Sequence, residues 1–272
     1  MALILHSRTG GRIVGGSPSV AQVNRARDAG VKTLRLDTAS FDSPGADMRW
    51  VADIPTLRTV FLHDRARTPD IASMRGSGVD ELCVWTPGAS PVRSEDVGWL
   101  RRIDCEAASF VSDGWVGLSD VVTLQVGRVR DEGVRIGDGS DRLEFLKLQG
   151  RSQTARVVWS RPPARLGTFM THSLRWSDLD DLSRCPRLAS VQVYNSTLDT
   201  AQGSIDISAF GDSAALRELH VAENLPLRGV PAVLAGAPHV TVHVARDLHD
   251  APDGAERVHR IAVPIKKPRV TA

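Results

Sequence analysis

Apolar residues recur along this chain in one short pattern, apolar-x-x-apolar-x-apolar. It falls on Val31/Leu34/Leu36, Leu57/Val60/Leu62, Val79/Leu82/Val84, Leu100/Ile103/Cys105 and Val121/Leu124/Val126. It continues on Leu143/Leu146/Leu148, Leu166/Phe169/Thr171, Leu188/Val191/Val193, Leu216/Leu219/Val221 and His239/Val242/Val244. The last positions of successive units lie 21 to 28 residues apart. Of the 30 anchor slots 28 are apolar, Thr171 and His239 being the exceptions. The interleaved positions hold 8 hydrophobic residues in 30, where the chain's 42% hydrophobic content would give about 13. Enrichment on one side with depletion on the other, at period two, marks a half-buried strand. The pattern predicts one short strand per unit of about 22 residues.

A unit of this length with a single strand resembles the leucine-rich-repeat family. It is too short for the strand-plus-helix unit of an α/β barrel. The fullest match is Leu216-x-x-Leu219-x-Val221-x-x-Asn224, running on through Leu227, Val230-Pro231 and Leu234. In the unit before it Ser196 occupies the place of the family's Asn, which the resemblance implies would hydrogen-bond the turn leaving the strand. The other units carry Ala39, Arg65, Pro87, Ala108, Val129, Arg151, Leu174 and Asp247 there, so the likeness is to a degenerate, bacterial-type member. The fold this implies is an α/β solenoid, a curved stack of about ten to twelve parallel strands; a parallel β-helix is the alternative.

The segments between strands differ. Residues 18–29 read as a short helix ending at Gly30, and residues 174–187 suit a helical or 3₁₀ turn before Pro186. Residues 129–142 and 149–165, with Gly, Asp, Pro and Val157-Val158, read as extended. An open stack exposes its last layers, so caps are expected at both ends. The organisation expected is therefore a capping strand and helix over 1–30, ten repeats over 31–247, a closing strand over 248–263 and a disordered basic tail over 264–272. Val14, 22 residues before Leu36, marks the opening strand, and Val258-x-x-Ile261-x-Val263 repeats the anchor pattern for the closing one.

The resemblance implies that the outward side of the strands is a concave, partner-binding face. One outward column reads Arg35, Phe61, Cys83, Asp104, Gln125, Lys147, Met170, Gln192, His220, His243; the next reads Asp37, His63, Trp85, Glu106, Gly127, Gln149, His172, Tyr194, Ala222, Ala245. Phe61, His63, Trp85 and Glu106 form one cluster, and Met170, His172 and Tyr194 another, with Lys147 between them and His220 beyond. Aromatic anchors in a polar surround are the composition of interface hot spots. These nine residues are the candidate partner-binding set.

Composition narrows the functions. Lys and Arg total 34 against 32 Asp and Glu, a net charge of +2, and the signs are interspersed, which argues against a nucleic-acid track. Only four basic residues are Lys, and the 30 Arg read as coding bias. No apolar run reaches the ~18 residues of a membrane span, and Met1–Leu5 lacks the basic lead of a signal peptide. Cys83, Cys105 and Cys185 form neither a disulfide framework nor a zinc spacing, so a cytoplasmic protein is expected.

Sharper chemistry does not assemble. His220 with His243 is an incomplete metal pair. Arg102 beside Asp104 and Glu106 would hold both carboxylates ionised, unlike an acid/base pair tuned apart. Glu81 and Asp104 would raise the Cys83 thiol rather than activate it. The expectation is a non-enzymatic module that captures a protein partner, of immunity or regulatory type, with no cofactor, metal, nucleic acid or membrane. The alternative is a substrate-presenting subunit or effector of an enzyme complex.

Overall fold

The computed structural model describes residues 2–5, 10–14, 17–37, 45–63, 69–85, 92–109, 117–130, 134–136, 139–151, 156–176, 178–198, 203–221, 225–245, 250 and 256–261. The expected tail over 264–272 lies outside them.

Among the described residues one sheet of thirteen strands runs the length of the molecule. In order its strands are Ala2–Leu5, Gly10–Val14, Thr33–Asp37, Thr59–His63, Glu81–Val84, Arg102–Glu106 and Thr123–Val129, then Phe145–Gly150, Thr168–His172, Ser190–Tyr194, Glu218–Val221, Thr241–Ala245 and Val258–Ile261. The first pair is antiparallel and every later pair is parallel. Helices are few and short, from Val20–Asp28 to Asp180–Ser183.

The anchor pattern is the register of this sheet. Leu34, Val60, Leu82, Ile103, Leu124, Leu146, Phe169, Val191, Leu219 and Val242 sit opposite one another strand by strand, and all are fully buried. Thr171, the polar exception, is buried with them, and its hydroxyl finds no hydrogen-bond partner.

A second apolar period, of three residues, feeds the strands. Met48, Val51, Ile54 and Leu57 are all fully buried, as are Leu179, Leu182, Cys185 and Leu188 to within 2%. Three residues per turn is the 3₁₀ repeat, which keeps one side chain per turn on the same line. The same hydrogen bond recurs in seven units, from the first anchor's N–H to the carbonyl three residues back. Its donors are Leu57, Leu100, Val121, Leu143, Leu166, Leu188 and Val240. A single carbonyl then accepts two consecutive N–H groups of the next unit, as Lys32 does from Arg58 and Thr59, and Gly167 from Ala189 and Ser190.

That recurring bond corrects the last unit: Val240, fully buried, holds the anchor place, and His239 is exposed. One residue fewer separates turn from strand there. Arginine also has a structural use beyond coding bias. Arg58 and Arg217 each turn a guanidinium back onto the carbonyls ending their own turns.

The return segments follow expectation. Val20–Asp28 is a helix with Ser19 and Gln22 forming a reciprocal cap. Val134–Ile136 and Val157–Trp159 pair as parallel strands behind the main sheet, and Asp180–Ser183 is helical. Where extended returns give way to the helical one, Val157–Trp159 and Arg175–Trp176 flank a cleft of about 340 Å³.

Both ends depart from expectation in register. The N-terminal cap is a hairpin, and Ile13 rather than Val14 lies opposite Leu36. At the other end Val258, not Ile261, lies opposite Val242, which places Arg260 opposite Val244. The Arg257 guanidinium explains the shift. It donates to the carbonyls of Leu234, Ala237 and Val240, fastening the closing strand to the turn before it.

Candidate functional site

The face of the sheet away from the core, here the open face, carries three columns of side chains at strand spacing. The central one is continuous through the pairing Arg35, Phe61, Cys83, Asp104, Gln125, Lys147, Met170, Gln192, His220 and His243. The register extends it to His259 at the C-terminal end. Each of the central ten was expected there, whereas His259 was not, because the apparent anchor motif from Val258 to Val263 places it out of line.

At the N-terminal half Trp85 dominates. Its side chain is 44% exposed, and of the large hydrophobics left exposed among the described residues it is the one on this face; Val20 and Val158 lie on return segments. The indole reaches across the strand Arg102–Glu106 to Gly127, where a Cβ would come within 3.3 Å of the ring. Phe61 is half-buried, between Arg35 and Cys83 in the pairing. His63 pairs with Asp37 through its strand, but its side chain lies outside the described residues.

Glu106 corrects the expectation. It is 5% exposed and hydrogen-bonding distance, 3.3 Å, separates it from the exposed Arg128 guanidinium. It supports the face from below and is closed to a partner. The Arg102 reading changes as well. Its guanidinium pairs with Glu81 at 2.9 Å, and Thr59 donates to the same carboxylate. Asp104 is left half-buried with one oxygen unpartnered, and burial pushes its carboxyl upward against the pull of Arg102 and Lys147.

Cys83 is buried, and its thiol is pushed up to about 12, by burial first and then by Glu81 and Asp104. Cys105 is buried on the core side, its thiol well above the ordinary range by burial. All three cysteines are free.

The C-terminal half holds a ladder of rings. Tyr194 meets His220 at 4.8 Å between centroids, His220 stacks on His243 at 5.2 Å and 16°, and His243 on His259 at 5.0 Å and 25°. In-register parallel strands place identical side chains over one another, so a column of histidines must stack. A polar chain runs beside it. The Tyr194 hydroxyl donates to Gln192, whose amide donates to Ser190; the Ser190 hydroxyl donates to Glu218, and His243 Nε2 lies 3.7 Å from the same carboxylate.

Burial, and next the neighbouring His243, lower the His220 pKa; burial, and next Glu218, raise that of Tyr194. Two imidazolium charges at ladder spacing would repel by about 1 kcal/mol in water and about 3 kcal/mol at a protein surface. Stacked rings present no convergent nitrogens, and among the described residues no three His, Cys, Asp or Glu could hold a metal ion.

His172 is fixed by its neighbours. The Asn195 amide donates to the Ser173 hydroxyl, which lies 2.7 Å from His172 Nδ1. Lys147 and Met170 are half-buried in the central column. Phe61 and Trp85 thus lie at one end of the face, and Lys147, Met170, His172, Tyr194 and His220 toward the other. The polar chain through Gln192, Ser190 and Glu218 escaped the sequence reading, since Ser190 and Glu218 stand in a third outward column that was not read.

Ser196, in the turn leaving its strand, is buried. Its hydroxyl donates to the Tyr194 carbonyl and accepts from the Leu174 N–H of the preceding unit. Asn224 lies outside the described residues. The equivalent slots Val129 and Leu174 are buried and apolar. No helix among the described residues is long and apolar enough to cross a membrane. The chain matches no protein-family model and no curated protein.

Proposed function

We propose that this chain is a leucine-rich-repeat-like, cytoplasmic binding module that captures a protein partner on its open, concave face, in an immunity-type or regulatory role and without catalysis. The observation that carries the reading is Trp85. A large aromatic ring is left accessible on the open sheet face, seated over a glycine that makes room for it. An anchor already held in place loses little freedom when a partner covers it, which is how aromatic hot spots acquire their weight. Thirteen strands at ~4.8 Å make a face nearly 60 Å long, ample for a protein surface. The Cys83 thiol, raised rather than lowered, is the reverse of an activated nucleophile.

The test is affinity capture from host lysate with the wild-type chain and with Trp85→Ala/Tyr194→Ala. Both side chains are at least partly exposed, so the variant is expected to keep its circular dichroism and melting temperature. A partner retained by the wild type and lost from the folded variant supports the reading. Equal capture by both moves the binding surface to the return segments or edges.

A further inference from the structure

We propose that the ladder of His220, His243 and His259, ended by Tyr194, is a proton-linked site for an acidic peptide segment of the partner, closed to it when the imidazoles are neutral and open when they are charged. This rests on the open face being the binding surface and specifies the chemistry it recognises there.

The geometry carries the argument. Three imidazoles occupy one column on the last three strands of the sheet, stacked at 5.2 and 5.0 Å. Stacking uses the ring faces and leaves the ring edges, which bear the N–H groups, for a ligand. Neutral rings stack without electrostatic cost. Two charged rings one rung apart would repel, and an anion lying along the ring edges offsets that repulsion.

The described residues supply few such anions. Glu218, 3.7 Å from His243 Nε2, is the carboxylate that approaches the ladder, and it already accepts from Ser190. Among the described residues the other titratable or charged groups toward this end of the face are Tyr194, His172 and Lys147, none of them anionic at neutral pH. Arg217 and Arg257 are turned onto backbone carbonyls. As the ladder charges, this end of the face therefore becomes positive and short of counter-charge. Three rungs span about 10 Å, the reach of some three extended residues, so a run of Asp or Glu can place its carboxylates along it.

The anions that satisfy the ladder must raise its proton affinity, and by reciprocity protons must tighten the binding. One proton taken up per peptide gives up to tenfold per pH unit, and two give more.

The experiment is a fluorescence-anisotropy titration of the full chain with a labelled peptide of alternating Glu and Ser, at pH 7.5 and 5.5 and constant ionic strength. The peptide's carboxylates stay ionised across that interval. Wild type is expected to bind at least tenfold more tightly at pH 5.5. His220→Gln/His243→Gln/His259→Gln should cut that ratio below twofold, whereas His239→Gln, off the ladder, should leave it unchanged. The corresponding triple Lys variant should bind at both pH values, which separates lost charge from lost fold.

No binding by wild type at pH 5.5, or an undiminished ratio in the triple Gln variant, overturns the proposal. Neither result touches the open-face reading, which fails only if Trp85→Ala/Tyr194→Ala captures the partner as wild type does.

Discussion

The indole of Trp85 lies across Gly127, two strands away, so closely that a methyl group on the glycine would come 3.3 Å from the ring. Gly127 is buried beneath it and stands opposite Glu106 in the register. The glycine is therefore the seat of the large exposed hydrophobic side chain that this face carries among the described residues. Gly127→Ala should tilt the ring by a few tenths of an ångström with little loss of stability, and Gly127→Leu should unseat it. Overpacking of a well-filled site costs typically 1–3 kcal/mol, but a half-exposed ring can swing outward, so the loss should stay near or below about 1 kcal/mol. The readout is Trp85 emission, isolated as the difference from Trp85→Phe. Emission unchanged in Gly127→Leu would mean that the ring does not rest there in solution.

Much of this fold was legible in one dimension, and the reasons it was and was not are physical. The anchors from Leu34 to Val242 are read correctly because a slip of one residue would turn every buried side chain outward, and nine interior registers enforce the same alternation. The ends lack that redundancy. Among the described residues the strand Val258–Ile261 has a neighbour on one side only, and its alignment is held by Arg257 gripping three carbonyls, which no apolar pattern encodes. His259 was lost with that register, and the ladder with it. Glu106 was misjudged for a different cause. It faces the open side as its column demands, but it is buried, with the Arg128 guanidinium 3.3 Å away, and pairing with a side chain from another strand is invisible to periodicity.

Thr171 tests the buried layer. Its hydroxyl sits between Leu148 and Val193 in the register, fully buried and without a hydrogen-bond partner. An unsatisfied buried polar group costs about 1–3 kcal/mol, so Thr171→Val, which keeps the shape and removes the hydroxyl, should stabilise the chain by about 1–2 kcal/mol. A urea midpoint raised with an unchanged slope is the expected result; a lowered midpoint would show that the hydroxyl has a partner in solution.

Ser196 tests the turns. Its hydroxyl joins the Tyr194 carbonyl to the Leu174 N–H of the unit before, so it ties two successive layers together. Ser196→Ala leaves that N–H buried and unpaired and should cost about 1–3 kcal/mol. Because Asn195 and Ser173 hold the His172 ring from the same turn, the histidine's NMR resonances should shift as well. A neutral substitution would mean that the layers hold together by apolar packing alone.

The thiols bear on both structure and pH. Burial raises Cys83 and Cys185 to about 12, so at pH 8 their thiolate fraction is roughly 0.0001. The native chain should ignore a thiol-reactive disulfide reagent that titrates three groups once the chain is unfolded in urea. These pKa values are raised in the folded state, so the protonated form is the one that folding favours. Their contribution to stability is whole below pH 9 and is lost as the pH climbs from 9 toward 12. A melting temperature flat across that interval would contradict the burial of the two thiols.

His220 has the opposite sign. Folding lowers its pKa, through burial first and then through His243, so the folded chain favours the neutral ring. The stability this gives is present above the unfolded value near 6.5 and is lost as the pH falls below it. Thermal unfolding between pH 7.5 and 5 should therefore show a falling melting temperature in wild type and a shallower fall in His220→Gln. Carboxylates titrating elsewhere are common to both chains, so the difference between the two curves isolates the ring. An acidic peptide bound to the ladder supplies the missing counter-charge, and the wild-type curve should then flatten toward that of the variant. Parallel curves with and without the substitution would mean that the imidazole takes its proton as freely in the stack as in the unfolded chain.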